Sequence, residues 1–207
     1  MLGKFITLEG GEGAGKSTNL AFMAHYLRDQ GVEVVTTREP GGTELGEQIR
    51  AILLDSRHQN MTPECELLLV FAARAQHIAQ TIKPALAAGK WVISDRFTDA
   101  SYAYQGAARE MGFERVAQIE HWLQQGFAPH YTFVLDLPIE LGMQRVAQRA
   151  GQSDRFEQQQ HAFFQRVRQA YLRRANAHPA RYKVIDASAS LAQVQADLRQ
   201  GLDRLLT

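Results

Sequence analysis

The stretch Gly10-Gly11-Glu12-Gly13-Ala14-Gly15-Lys16-Ser17, followed by Thr18, decides the fold of this chain. It matches the phosphate-loop (P-loop) pattern G-x-x-x-x-G-K-S, and it lies between an apolar run and a segment with apolar residues at helical spacing. Its glycines permit positive φ angles that turn backbone N–H groups toward a phosphate at a helix N-terminus. A glycine-rich turn that binds nothing would not explain the Gly-Lys-Ser ending. We therefore predict that residues 10–18 bind ATP, with Lys16 at the β- and γ-phosphates and the Ser17 hydroxyl at Mg²⁺.

Outside this loop, short apolar runs alternate with longer segments of helical periodicity. The predicted strands are residues 5–9, 32–37, 91–94, 131–135 and 182–185, and the predicted helices are 19–30, 45–54, 63–88, 115–125, 139–148, 158–176 and 191–206. This alternation predicts an α/β fold in which helices cover both faces of a parallel sheet. The stretch 149–156 has little with which to anchor itself to a core and is predicted to be a mobile loop. The 207 residues fit a single domain.

Composition and charge argue against several classes of protein. A formal net charge of +1 gives no overall field that would gather a polyanion, so nucleic acid is not an expected partner. The single cysteine, Cys65, cannot form an internal disulfide, and the chain starts without a charged n-region or a cleavable apolar stretch. No apolar run approaches the roughly 20 residues that cross a bilayer. We expect a cytoplasmic protein without a membrane partner.

The arginines narrow the choice among P-loop proteins. The chain lacks the Asn-Lys-x-Asp element of guanine-nucleotide switches and the Leu-Ser-Gly-Gly-Gln element of transport ATPases. It has 18 arginines and 5 lysines, and isolated arginines stand at segment ends: Arg38, Arg74, Arg96, Arg149 and Arg155. Because the arginine fork suits phosphate oxygens, this pattern indicates a nucleotide kinase site where two phosphate groups meet. The acceptor in such a site is already an anionic oxygen, so positioning and charge stabilisation can replace a general base.

Three motifs carry a resemblance to a known family. They are the P-loop at 10–18, Thr37-Arg38-Glu39-Pro40-Gly41-Gly42-Thr43 after the second strand, and Asp95-Arg96-Phe97 after the third. On these motifs the chain resembles the thymidylate kinases, from the first strand to the last helix. The resemblance implies a three-layer α/β/α P-loop fold with a five-stranded parallel sheet of order 2-3-1-4-5, a small lid at 149–156, and a homodimer. It also implies the reaction of ATP with dTMP to give ADP and dTDP, with Mg²⁺ as cofactor.

The resemblance gives roles to individual residues. Arg96 would hold the acceptor phosphate, and Asp95 would act near Mg²⁺ together with Ser17. Glu12 would orient the sugar 3′-hydroxyl and the residues around the phosphates. The acceptor site would comprise Arg38, Glu39, Pro40, Phe71, Arg74, Arg96, Ser101, Tyr104 and Gln105.

The expected contacts to the thymine base involve one departure from the family. Phe71 and Arg74 lie three residues apart on a predicted helix and so share a face. The family stacks an aromatic side chain on thymine and points the arginine at its O4 atom. It commonly places that aromatic four residues before the arginine, where this chain has Val70. Tyr104 matches the tyrosine that crowds the 2′ position and favours deoxyribose, although it and Phe71 could equally be packing residues.

The catalytic arginine must come from the predicted lid. One subgroup of the family carries this arginine inside the P-loop, whereas residues 11–14 of this chain contain none. Arg149 and Arg155 are therefore the candidates, and we prefer Arg149. Closure of the lid would bring such a cation over the γ-phosphate and exclude water. Adenine is expected near Arg149 and the turn at 186–188.

Two other functions are compatible with a P-loop. A deoxynucleoside kinase would use Asp95 as the base that takes a proton from a 5′-hydroxyl, but the arginines and the Arg-Glu-Pro-Gly-Gly-Thr motif argue against it. An ATP-binding regulatory module without catalysis would leave the arginines at the strand ends unexplained. A monophosphate kinase explains all of these features.

Overall fold

The centre of the fold is a parallel sheet of five strands. The computed structural model describes residues 3–148, 154–157 and 159–206. The strands are β1 (Phe5–Gly10), β2 (Val34–Arg38), β3 (Trp91–Asp95), β4 (Tyr131–Asp136) and β5 (Tyr182–Asp186). Their order is β2-β3-β1-β4-β5, and every neighbouring pair is parallel. The predicted strands and the strand order are both confirmed.

Helices connect the strands, as the alternation predicts. They are α1 (Lys16–Asp29), α2 (Glu44–Leu54), α3 (Pro63–His77), α4 (Lys83–Ala87), α5 (Thr98–Ser101), α6 (Phe113–Gln124), α7 (Ile139–Ala147), α8 (His161–Ala177) and α9 (Leu191–Leu206). The predicted helix at 63–88 is α3 and α4 joined by a π-helical segment, Ile78–Ile82, and a 3₁₀ turn, Ser56–His58, follows α2. No helix that the structure describes is long and apolar enough to cross a membrane.

One helical element was not predicted. After β3, α5 continues into a π-helical segment, Tyr102–Ala108. Almost every residue of this stretch is buried, so it lacks the alternation of apolar and polar residues on which a helix prediction rests. It brings Ser101, Tyr104 and Gln105 to the carboxyl end of the sheet.

Helices cover both faces of the sheet and form three layers. On one face, α1 and α9 contribute Met23 and Leu198 to a buried cluster with Leu8 of β1. On the other face, α8 and the Tyr102–Ala108 segment pack against Val134 of β4. All six residues of β1 are buried, because this strand lies in the middle of the sheet. The predicted three-layer arrangement is therefore confirmed.

The register of the strands brings the sequence motifs together. Asp95 at the end of β3 pairs with Leu8 of β1 on one side and with Arg38 of β2 on the other. The P-loop leaves β1 two residues after Leu8, so all three motifs meet at the same edge of the sheet. Open α/β sheets bind their ligands at this edge.

Candidate functional site

The P-loop has the backbone shape that its glycines predict. Gly13 and Gly15 have φ angles of 74° and 83°, and α1 begins directly after Gly15. The buried Lys16 side chain folds back onto the loop, where its Nζ donates to the carbonyl oxygens of Gly10 at 3.1 Å and Gly11 at 2.9 Å. Burial and the nearby charge of Arg96 lower the pKa of Lys16. The ammonium group is therefore held where a phosphate could replace its carbonyl partners.

Helix α7 supports the back of the loop at close range. A Cβ atom on Gly13 would lie 2.3 Å from the carbonyl oxygen of Gly142, which only glycine avoids. Arg145 of α7 donates at 3.3 Å to the carbonyl oxygens of both Gly13 and Ala187. Arg145 thus ties the P-loop to the turn at 186–188, where we expect adenine. Sequence reasoning missed it, because nothing in the local pattern of α7 distinguishes Arg145 from a surface arginine.

A cavity of about 250 Å³ lies beside the loop. The P-loop, the ends of β2 and β3, α2, α3, the stretch 97–105 and the segment 154–157 all contribute to its wall. Of the predicted site residues, the cavity is lined by Glu12, Gly13, Ala14, Gly15, Lys16, Ser17, Arg38, Glu39, Pro40, Arg74, Asp95, Arg96, Ser101, Tyr104 and Gln105. Residues as distant in sequence as the P-loop and the end of the predicted lid thus face one space.

Arg96 lines this cavity in a strained conformation. Its φ angle is +71°, a left-handed value that costs a non-glycine residue about 1–2 kcal/mol. Its guanidinium donates to Glu12 Oε1 at 2.6 Å and lies 4.6 Å from the centre of the Tyr104 ring. The Tyr104 hydroxyl donates to the same Glu12 oxygen at 3.0 Å. Although burial opposes ionisation, the charges of Arg96 and Lys16 hold the pKa of Glu12 at about 2.

Arg74, which also lines the cavity, is almost fully buried. Its Nε donates to Glu39 Oε2 at 2.7 Å, and one terminal nitrogen donates to the Phe97 carbonyl at 3.1 Å and to Ser101 Oγ at 3.0 Å. The other terminal nitrogen, Nη1, is buried and has no hydrogen-bond partner in the structure. Glu39 is fixed from behind by His77 Nδ1 at 2.9 Å. The unpaired nitrogen offers a donor to an acceptor atom of a bound ligand.

Phe71, the predicted stacking residue, does not line the cavity. The side chain packs in the core with Leu67, Tyr102 and Val116. It supports Arg74 instead, because its ring centre lies 4.5 Å from the guanidinium carbon. Val70, one residue earlier on α3, lines the cavity in its place. The cause is the helical rotation of about 100° between consecutive residues, which turns Phe71 toward α6 and the 102–108 segment.

Two residues at the end of β3 and the start of α1 suit a hard cation. Asp95 Oδ1 is buried and has no hydrogen-bond partner, and Ser17 lines the same cavity. The described residues contain no group of three or more His, Cys, Asp or Glu that could hold a metal ion alone. A cation here would need phosphate oxygens or water as further ligands, which is how Mg²⁺ is bound in nucleotide kinases. The residues present fit Mg²⁺.

Arg50 of α2 is a second residue that sequence reasoning missed. It lines the cavity and donates to the Pro40 carbonyl at 2.9 Å. Burial and then the charge of Arg38 lower its pKa. Arg38 itself is half-exposed and pairs with Glu47 at 2.8 Å. The helical pattern of α2 could not have identified Arg50. This residue reaches the cavity only because α2 lies beside Pro40 in the segment that follows β2.

The structure describes only one of the two candidate lid arginines. Arg149 lies outside the described residues. Arg155 is buried, and its guanidinium donates to Glu66 and, at 2.8 Å, to the Leu53 carbonyl. Arg155 itself does not line the cavity, and its predicted action on the γ-phosphate stays a prediction. Its neighbours Asp154, Phe156 and Glu157 line the cavity, so the end of the predicted lid closes its wall while Arg155 points into the protein.

Comparison with known proteins places this geometry in a family. A family model described as thymidylate kinase matches residues 8–198. Among curated proteins, the chain is 57% identical over 206 residues to a thymidylate kinase of Ectopseudomonas mendocina, covering 100% of this chain and 98% of that one. It has the same identity and coverage with a thymidylate kinase of Pseudomonas syringae pv. tomato. It is 56% identical to that of Pseudomonas entomophila, covering 100% of this chain and 96% of the relative.

The buried position of Arg155 predicts that it stabilises the fold and does not bind the phosphate. Replacing it in Arg155→Met should lower the free energy of unfolding by about 3 kcal/mol, because Glu66 loses a buried partner. Adding Glu66→Gln to Arg155→Met should lower the free energy of unfolding by less than Glu66→Gln does in the otherwise unchanged protein, since the two residues are coupled. Urea unfolding of the two single variants and the double variant measures both effects.

The control for this prediction is Arg115→Met, which breaks an exposed pair between Arg115 and Glu64 and should leave stability nearly unchanged. Turnover of folded Arg155→Met should stay within about tenfold of the original value. A loss on the order of 10³ with normal stability would show that Arg155 acts on the transferred phosphate.

Proposed function

This chain belongs to the thymidylate kinase family and phosphorylates dTMP to dTDP with ATP, and we propose that it holds the two substrates at opposite ends of the cavity described above. The triphosphate lies on the P-loop with Lys16, and the thymine base lies toward Arg74. The acceptor phosphate lies between them at Arg96. The observation that carries this proposal is the single cavity that Lys16, Arg96 and Arg74 line together.

The acceptor end of the cavity suits a thymine nucleotide. The unpaired, buried nitrogen of Arg74 is a fixed donor that an exocyclic carbonyl oxygen of the base can satisfy. Ser101, Gln105 and Val70 form the wall around it, and Gln105 is oriented by Glu66 at 2.8 Å. Leaving this buried arginine nitrogen unpaired costs free energy, which favours a ligand with an acceptor at that point. Tyr104, held by Glu12, fills space beside the sugar.

Phosphoryl transfer here depends on position and charge rather than on a base. Arg96, aimed by Glu12, would hold the acceptor phosphate in line with the γ-phosphate that Lys16 contacts. When bound, Mg²⁺ at Ser17 and Asp95 would neutralise part of the phosphate charge. Arg38 and Arg50 add positive charge at the same wall of the cavity. The two alternatives, a deoxynucleoside kinase and a regulatory module, are not favoured.

An assay of ADP release tests the acceptor. We expect rapid ADP release with dTMP, and none with thymidine, because thymidine has no phosphate for Arg96 and Arg50 to bind. A parallel series with dUMP, dCMP and dGMP measures how far the base pocket discriminates. Phosphorylation of thymidine without phosphorylation of dTMP would contradict the proposal. ATP binding without turnover on any acceptor would instead favour the regulatory module.

We also propose that Arg149 is the catalytic arginine and that the chain acts as one domain with a lid at 149–156. The P-loop carries no arginine, and Arg155 is bound to Glu66, so Arg149 is the remaining candidate from the predicted lid. A cation over the γ-phosphate would stabilise the charge that develops in transfer. Arg145, four residues earlier in the sequence, is occupied by the carbonyl groups of Gly13 and Ala187.

Two substitutions separate the roles of the arginines. Arg149→Ala should lower kcat by about 10³ and change the KM for dTMP little, because its charge is needed in transfer. Arg96→Ala should weaken dTMP binding and abolish turnover, yet leave the affinity for an unreactive ATP analogue intact. Gln148→Ala, at the neighbouring exposed position, is the control and should behave as the unchanged protein. Normal kcat in Arg149→Ala would exclude it as the catalytic arginine.

We propose further that the protein is a cytoplasmic homodimer. Large apolar side chains are exposed on three helices that pack side by side: Leu45 and Ile52 of α2, Leu68 of α3 and Trp122 of α6. Leu68 is 60% exposed and Trp122 is 75% exposed, and such a concentration of apolar surface is typical of an interface. A second copy of the chain would cover it.

Light scattering during gel filtration tests the dimer. We expect twice the monomer mass at micromolar concentration, and the monomer mass for the double variant Leu68→Glu and Trp122→Glu, because two charges would be buried in the interface. Leu191→Glu changes an exposed leucine on α9 and should remain dimeric. A monomer mass for the unchanged protein at tens of micromolar would refute the homodimer.

A further inference from the structure

Glu9 is a buried carboxyl group that the reaction as described does not use. It is the fifth residue of β1, directly before Gly10 of the P-loop, and its side chain is fully buried. Oε1 accepts the backbone N–H of Phe97 at 2.7 Å, and Oε2 accepts the hydroxyl of Tyr171 at 2.9 Å. The sequence offers no reason for an acidic residue in the central strand. An isolated carboxyl group is costly to bury, so its position requires an explanation.

The group bonded to Oε1 belongs to the peptide that follows Arg96. Arg96 has the left-handed φ angle of +71°, so its two flanking peptides must be held by partners. Its own N–H donates to the Leu8 carbonyl at 3.0 Å, and its carbonyl oxygen accepts from Ser94 Oγ at 2.7 Å. The next N–H, that of Phe97, is bound by Glu9. Of these three bonds, only that of Glu9 comes from a side chain on another strand.

Burial and the charge of Asp99 favour a neutral carboxyl group at Glu9. Asp99, Arg96, Lys16 and Tyr171 are the titratable groups that interact with it. Burial, followed by the negative charge of Asp99, raises the pKa of Glu9 to about 8, although Arg96 opposes the shift. Near neutral pH, the carbonyl oxygen of a protonated Glu9 can still accept the Phe97 N–H. The requirement at this position is therefore a hydrogen-bond acceptor at the right reach rather than a negative charge.

We propose that Glu9 is a positioning residue for phosphoryl transfer: it accepts the Phe97 N–H and so holds Arg96 in the left-handed conformation that aims its guanidinium at Glu12 and the acceptor phosphate. Tyr171 of α8 fixes the other oxygen of Glu9, so the helix that follows the lid segment supports the same arrangement. This inference rests on the role proposed above for Arg96. A residue of the central strand would thus orient the arginine that binds the acceptor phosphate.

Three substitutions at Glu9 separate hydrogen bonding from charge and from packing. Glu9→Gln keeps an acceptor at the same reach without charge, and should give a KM for dTMP within about threefold of the original value. Glu9→Met keeps the length but offers no comparable acceptor, and should raise that KM by about tenfold, the cost of one lost buried hydrogen bond. Glu9→Asp keeps an ionisable carboxyl group but is one methylene too short, and should be impaired like Glu9→Met. In all three, the affinity for an unreactive ATP analogue should stay within about threefold.

The control for burial is Thr7→Val. Thr7 lies two residues before Glu9 on the same face of β1, is fully buried, and bonds to Thr132 at 2.8 Å. The variant removes one buried hydrogen bond from the same strand but leaves the bonds around Arg96 in place. It should lower stability in urea without a change in the KM for dTMP. A purely structural role for Glu9 would instead make Glu9→Met resemble Thr7→Val.

Several results would overturn this inference. They are a normal KM for dTMP in Glu9→Met, or a Glu9→Gln protein as impaired as Glu9→Met while Glu9→Asp is active. If Glu9→Met does not fold, the comparison of Glu9→Gln with Glu9→Asp still decides between acceptor and charge. Arg96→Ala distinguishes a failure of the role proposed for Arg96 from a failure of the role proposed for Glu9. If it retains full affinity for dTMP, the proposed role of Arg96 fails; if it loses that affinity but Glu9→Met does not, only the inference about Glu9 fails.

Discussion

The pairing of Arg96 with Glu12 is the interaction on which the site depends. It joins the end of β3 to the middle of the P-loop, two segments that are 84 residues apart in sequence. The carboxylate would be unfavourable beside a triphosphate if it were alone. With Arg96 and Lys16 around it, its pKa falls to about 2, and it serves to aim a cation. A left-handed backbone at Arg96 is the structural cost of this arrangement.

Buried carboxylates orient the other arginines in the same way. Glu39 holds Arg74 and is itself held by His77, while Glu66 receives Arg155, Arg109 and Gln105. Pairs of this kind add little net stability, because the desolvation of two charges offsets much of their attraction. Their effect is to leave each guanidinium a single orientation. A site that binds two phosphorylated substrates needs its cations in place before the substrates arrive.

Much of the fold was predictable from local patterns. The five strands and most of the helices follow from periodicity, and the P-loop follows from glycine spacing. The stretch 98–108 did not, because it is buried on nearly all sides and its helix is partly of the π type. Phe71 and Val70 differ by one position on a helix, and the sequence alone could not tell which of them lines the cavity. The unpaired nitrogen of Arg74 and the buried Glu9 were visible only once neighbouring elements surrounded them.

By itself, the sequence determined the phosphate loop and the strand-helix alternation. It also showed that arginines stand at the ends of segments. These are local properties, since glycine conformations and side-chain periodicity act within a few residues. The tertiary structure alone decided where each arginine that it describes points. Arg155 meets Glu66 across 89 residues, and Arg50 and Arg145 enter the site from helices whose patterns do not mark them. Such assignments depend on the packing of distant segments around one cavity, and no short stretch of sequence contains that information.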